Sequence, residues 1–205
     1  MVRQILIAGL ATVSVGANAG ALGVDGTSIV LGGMVGSNSS YEMLVGTTNT
    51  EAQYAGMAYV SAYKSSVGIE YDGANLGGNY VSNRIGVKAD SFIPEKPDFF
   101  DLFIYHNKTS VAKILDRYGM GIGVGYGFIP DPNMKISVEG ELMPYFLSTA
   151  WDTEMSLEYG VKLKGEYRIK KQFSVGVHYQ HNSGIYNDNS IQLGQNLGAS
   201  IKVIF

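Results

Sequence analysis

Glu154–Ile169 reads EMSLEYGVKLKGEYRI. Its even positions are Glu154, Ser156, Glu158, Gly160, Lys162, Lys164, Glu166 and Arg168. Its odd positions are Met155, Leu157, Tyr159, Val161, Leu163, Gly165, Tyr167 and Ile169. Successive side chains of a strand point to opposite faces, so this period of two predicts one charged face and one apolar, aromatic face. A soluble sheet with one solvated face has the same pattern, and the neighbouring segments decide between the two. Met120, Ile122, Val124, Tyr126 and Phe128 form an apolar stripe whose opposite face is Gly119, Gly121, Gly123, Gly125 and Gly127. Lys135, Ser137, Glu139 and Glu141 alternate with Ile136, Val138 and Leu142. Val67, Ile69 and Tyr71 alternate with Gly68 and Glu70, and Ile85 and Val87 with Arg84 and Lys88.

Repeated strands of this kind predict an all-β fold: a closed antiparallel transmembrane β-barrel of eight to ten strands. Ten is the preferred count, with Tyr41–Gly46 the doubtful strand. In lipid every backbone polar group must be satisfied internally, which closure achieves and an open sheet cannot. Such barrels turn apolar residues to lipid and polar ones to the interior, with short periplasmic turns and longer outer loops. Short turns are expected at Lys64–Ser66, Pro94–Asp98, Pro130–Asn133 and Lys170–Gln172. Longer links are expected at Asn38–Glu51, Asn107–Tyr118, Leu147–Thr153 and Gly184–Ser190, with a short helical turn at Ser110–Arg117. The inward face carries Glu139, Glu141, Glu154, Glu158 and Glu166 together with Lys135, Lys162, Lys164, Arg168 and Lys202. Long side chains of both signs fill a small barrel and pair there. That disfavours a channel.

The first residues predict export. Arg3, the apolar stretch Ile5–Gly16 and the small residues Ala17-Asn18-Ala19 form a cleavable signal peptide over residues 1–19. The barrel is then residues 20–205, and the expected location is the bacterial outer membrane. Without Arg3 the chain has 14 basic and 18 acidic residues, a formal −4 that excludes nucleic acid as an obvious partner. With no cysteine, stability rests on packing and hydrogen bonds. The three histidines have no metal-ligand spacing, so neither metal nor cofactor is expected.

The last hairpin, Phe173–Phe205, carries the candidate chemistry. Its odd positions Phe173, Val175, Val177, Tyr179, Leu193, Leu197, Ala199, Ile201, Val203 and Phe205 form one apolar stripe, which His181, Ser183 and Gln195 interrupt. Phe205 belongs at the periplasmic edge of the membrane. A tilted strand climbs roughly 2.5 Å per residue, so Gln195 lies about 25 Å higher, the height of the apolar band. With Gln195 opposite His181, all three residues face lipid at the outer-leaflet interface. Ser183 would attack an acyl carbonyl and His181 would take its proton. Gln195 would hold the imidazole. The competing reading is a polar girdle at the water boundary.

This hairpin resembles the outer-membrane lipid A 3-O-deacylases, the PagL type, most clearly over Ser174–Ser183 and more weakly back to about Gly119. The family has a lipid-facing His-x-Ser motif on its penultimate strand and a Glu on the last strand. His181 and Ser183 match the motif, and the Glu position falls on Gln195. The residue after the Ser, an Asn in the family that helps to stabilise the oxyanion, is Gly184 here. Asn182, Asn187 and Asn189 are alternative oxyanion donors. The resemblance implies a hydrolase acting on outer-leaflet lipid A or lipopolysaccharide, with Ser183 as nucleophile, His181 as general base and Gln195 as orienter. The alternative is a non-catalytic barrel that binds through its outer loops. His178 is expected inside as a hydrogen-bond partner, and His106 receives no role. The glycines from Gly119 to Gly127 are read as packing positions and not as a phosphate loop, because no helix follows.

Overall fold

The computed structural model describes residues 27–49, 54–67, 70–71, 74–75, 78–92, 98–111, 115–149, 155–170 and 172–205. The expected signal segment, Glu154 and residues 94–97 of the Pro94–Asp98 turn lie outside them. In chain order the strands are β1 (Thr27–Gly36), β2 (Tyr41–Asn49), β3 (Tyr54–Val67), β4 (Glu70–Tyr71), β5 (Ala74–Asn75) and β6 (Gly78–Phe92). They continue with β7 (Asp98–Val111), β8 (Leu115–Asp131), β9 (Met134–Pro144), β10 (Met155–Lys170), β11 (Phe173–Tyr186) and β12 (Asn189–Ile204). Ten of them close into one antiparallel barrel in which β1 pairs with β12, and β4 and β5 form a separate two-residue ladder between β3 and β6. Following the pairing around from Ser183 leads through Tyr159, Leu142, Ile122, Ile104, Val87, Ala58, Val45 and Leu31 to Val203. The direct β12 partner of Ser183 is Gln192. The offset, 203 − 192, is the stagger that tilts the strands of a closed barrel.

The outer wall is apolar. Leu197, Val177, Leu102, Val124 and Ile85 are all more than 60% exposed, as no soluble core would leave them. A belt of this kind around a closed barrel is a lipid-facing surface. The chain is therefore a transmembrane β-barrel of the outer-membrane class. Pro132–Asn133, Gln172 and the C-terminal Phe205 lie at its short-turn end, which is the periplasmic end in that class.

The inside is packed and paired. The glycine face of β8 makes room for β7: Phe99 pairs with Gly127, Asp101 with Gly125, Phe103 with Gly123 and Tyr105 with Gly121. A Cβ on Gly123 would lie 2.0 Å from the Phe103 ring. Lys88 reaches Asp101 at 2.7 Å and Glu139 at 2.5 Å, and Lys164 also reaches Glu139 at 2.6 Å. Above them Arg84 meets Glu141 at 2.5 Å, and Lys162 meets Glu42 at 2.9 Å. Higher still, the fully buried Arg117 donates to Glu158 through Nε and Nη2 at 3.0 and 2.7 Å. An apolar cluster of Tyr80, Val111, Met155, Tyr186 and Leu193 fills the loop end. A cavity of about 910 Å³ reaches from Pro132, Gln172 and Phe205 up to the layer of Glu42, Tyr63 and Arg84. Lys162, Glu166 and Arg168 point inward as expected, Arg168 lining the open periplasmic end of the cavity.

Several expected connections are strand instead. Lys64–Ser66 lies inside β3, and most of Asn38–Glu51 is β2, so Tyr41–Gly46 is a strand. Asn107–Val111 and Leu115–Tyr118 belong to β7 and β8, which replaces the helical turn expected at Ser110–Arg117. Gly184–Ser190 contracts to the two-residue turn Asn187–Asp188, both with positive φ (47° and 61°), the backbone that tight hairpins favour. These stretches are polar because the strands run beyond the lipid band, so hydropathy alone reads them as loops. Glu70–Tyr71 pairs with Ala74–Asn75 and does not continue the barrel ladder of β3.

Candidate active site on the outer wall

β11 carries His181 and Ser183 on its outer face. Asn182 and His178 point inward, as the parity of a strand requires. Ser183 Oγ lies 2.9 Å from His181 Nε2. The hydroxyl can pass its proton to that nitrogen, which leaves Nδ1 as the atom an orienting group must hold. Gln195 stands directly across from His181 on β12 and is exposed. Among the described residues no hydrogen bond joins it to the imidazole. The structure thus brings Ser183 and His181 into contact and places Gln195 beside them without a bond.

The ladder around β11 is regular from this point down to Arg168–Ser174 and irregular above it. On β12 the pairing steps from Asn182–Gly194 to Ser183–Gln192, so Leu193 is an extra residue. On β10 it steps from Leu157–Ile185 to Met155–Tyr186, so Ser156 is extra. A bulge of this kind re-aims side chains. Both Leu193 and Met155 turn inward and are buried in the apolar cluster. That corrects two expectations, since period-two counting puts Leu193 and Met155 on the lipid-facing stripe. The same slip brings Gln192 to the outer face, opposite Ser183. Gly194 was the sequence signal, because an isolated glycine in a strand marks a bulge. Here a Cβ at 194 would meet Ser65 Oγ at 2.3 Å.

Ser183 faces lipid yet is only 4% exposed. Tyr159, its neighbour on β10, reaches across β11 to Ser190 on β12, with 2.8 Å between the two hydroxyl oxygens. The ring therefore lies over the strand between Ser183 and Ile185. Gly184 faces inward, where a Cβ would lie 2.7 Å from Met155 Sδ, so this position is filled from both bulges and offers no side-chain donor. Asn182 is buried and accepts from Gln180 Nε2 at 3.0 Å. Asn187 sits in the turn, where its carbonyl accepts from Asn189 Nδ2 at 2.9 Å. Asn182 is thus turned into the lumen, and Asn189 is engaged within the turn. His106 lies on the outer wall with its ring centroid 6.0 Å from that of Tyr118, and nothing in the structure gives it chemistry. No group of residues able to hold a metal ion occurs among the described residues.

No protein-family model and no curated protein matches the chain. Among solved structures it is similar to an outer-membrane channel from Pseudomonas putida F1, at 10% identity and a TM-score of 0.49, over 93% of this chain and 100% of that one. It is also similar to the KdgM porin, at 9% identity and a TM-score of 0.44, over 87% and 99% of the two chains. OmpT of Vibrio cholerae is 14% identical at a TM-score of 0.38, over 82% of this chain, which spans 56% of OmpT. At such distances function has to be read from this chain's own site.

Proposed function

We propose that this barrel hydrolyses an acyl ester of an outer-leaflet lipid, with lipid A as the substrate. The observation that carries the reading is the 2.9 Å contact between Ser183 Oγ and His181 Nε2 on the lipid-facing wall. In the first step Ser183 Oγ bonds to the ester carbonyl carbon and its proton passes to His181 Nε2. The tetrahedral intermediate then expels the sugar oxygen, which takes the proton from the imidazolium. A water repeats the sequence on the acyl-enzyme and releases the fatty acid. Gln195 is the orienter: its amide oxygen is the group available to accept from Nδ1. It supplies no charge to the imidazolium, so turnover is slower than with a carboxylate there. The resemblance to the lipid A 3-O-deacylases supports the same assignment of Ser183 and His181 and names the 3-O-acyl chain. No metal or cofactor takes part.

The pattern of the site also supports a second reading, a non-catalytic barrel that keeps the scaffold. Gln195 in place of a carboxylate, unbonded to the imidazole, is the observation in its favour. Lipid A from cells with and without the protein separates the two. Mass spectrometry should show the loss of one hydroxyacyl chain, abolished by Ser183→Ala, under the enzyme reading. Folded, abundant wild-type protein with unchanged lipid A establishes the second. Removal of residues 1–19 on export belongs to the same proposal and is checked by N-terminal sequencing of the membrane form.

A further inference from the structure

We propose that the Gln192 side-chain amide is the oxyanion donor of this site; this deepens the hydrolase reading and rests on it. When Ser183 attacks, the carbonyl oxygen becomes an anion and needs an N–H or O–H donor beside the nucleophile. His181 Nε2 is engaged with the serine along the strand, so the donor comes from a neighbouring strand or from the hairpin tip. Several other groups near the hairpin tip are engaged, turned inward or farther along the strands. Asn182 lies in the lumen, bonded to Gln180. Gly184 has no side chain and faces Met155. Asn189 donates to the Asn187 carbonyl. Of the Tyr159 and Ser190 hydroxyls one donates to the other, and Ser190 stands opposite Ile185, two residues beyond Ser183.

Gln192 is left. It is the direct β12 partner of Ser183, exposed on the outer face, and makes no side-chain hydrogen bond among the described residues. It owes that place to the bulge. Without the extra Leu193, regular pairing from Asn182–Gly194 would set Leu193 opposite Ser183 and turn Gln192 into the lumen. The bulge exchanges a leucine for an amide at this one point beside the nucleophile. A neutral amide suits an interface next to lipid, since it donates two N–H groups without bringing a charge toward hydrocarbon.

The test uses the folded full-length barrel in detergent micelles with purified lipopolysaccharide, and reads kcat and KM from fatty-acid release. Gln192→Ala and Gln192→Glu are expected to lower kcat by about 10²–10³-fold, the loss typical of removing one oxyanion donor, with KM little changed. Gln192→Asn, which keeps the N–H donors, should recover part of it. A fluorophosphonate probe supplies a second readout. Ser183 Oγ bonds to phosphorus, fluoride leaves, the proton goes to His181, and the phosphoryl oxygen needs the same donor, so labelling should slow in Gln192→Ala. Wild-type kcat and labelling rate in Gln192→Ala would overturn the proposal. Wild-type protein that labels on Ser183 but leaves lipopolysaccharide intact removes the lipid A substrate alone, and the role of Gln192 is then read from the labelling rates. Wild-type protein that neither hydrolyses nor labels overturns both.

Discussion

His181 and Ser183 are two apart on one strand, which lets an imidazole and a hydroxyl meet without help from any other element. What the pair lacks is charge behind the imidazole. In serine proteases the change from carboxylate to amide at the orienting position lowers turnover by about 10⁴ through the wrong tautomer. Gln195→Glu restores the carboxylate across from His181, and turnover on lipopolysaccharide should rise, by up to about that factor. Ser183→Ala in the same background should return it to the uncatalysed level. A folded Gln195→Glu barrel without activity would favour the polar girdle. This much of the site was legible in the sequence, because strand parity and a short motif suffice to place residues two apart. Gln192, Tyr159 and Ser190 were not legible. Their places depend on the two bulges, and period-two counting assumes there are none.

At the scale of elements the bulges are held by packing. Leu193 and Met155 are driven inward into one cluster with Tyr80, Val111 and Tyr186, and this apolar burial fixes the slip in both ladders. Leu193→Ala should cost about 2–5 kcal/mol, as for other fully buried leucines, read from urea unfolding in vesicles. It should also lower activity while Ser183 and His181 are untouched. The β7–β8 pair depends on the opposite device, space. Gly123→Ala places a methyl group against the Phe103 ring and should cost about 1–3 kcal/mol. Gly140 has open space at its Cβ position, so Gly140→Ala should be tolerated in the same assay. Strand existence and facing were readable for β8, β9 and most of β10 from alternation alone. Strand ends were not, because residues such as Asn107, Thr109 and Arg117 are polar and buried inside the barrel above the lipid band, where hydropathy and water exposure part company.

The whole molecule is a barrel with an apolar outside and a charged inside, packed toward the loop end and open in a cavity of about 910 Å³ toward the periplasmic end. The lumen holds the barrel together through paired charges. Arg117 is fully buried against Glu158, so Glu158→Ala strands a cation and should cost about 3–5 kcal/mol. Replacing both with apolar residues of similar volume should cost much less. Lys162–Glu42 joins nearly opposite walls, and Arg84–Glu141 and Arg117–Glu158 add long buried side chains beside and above it, so planar-bilayer recordings of the wild type should show no steady conductance. A stable open pore would move function from the wall to the lumen. The outer wall carries the Ser183–His181 contact, on which the proposed activity rests. The most direct measurement is mass spectrometry of lipid A from cells expressing the wild-type barrel beside cells expressing Ser183→Ala at equal folded levels. The account predicts lipid A lighter by one hydroxyacyl chain in the first and intact in the second. Identical, fully acylated lipid A in both would contradict it.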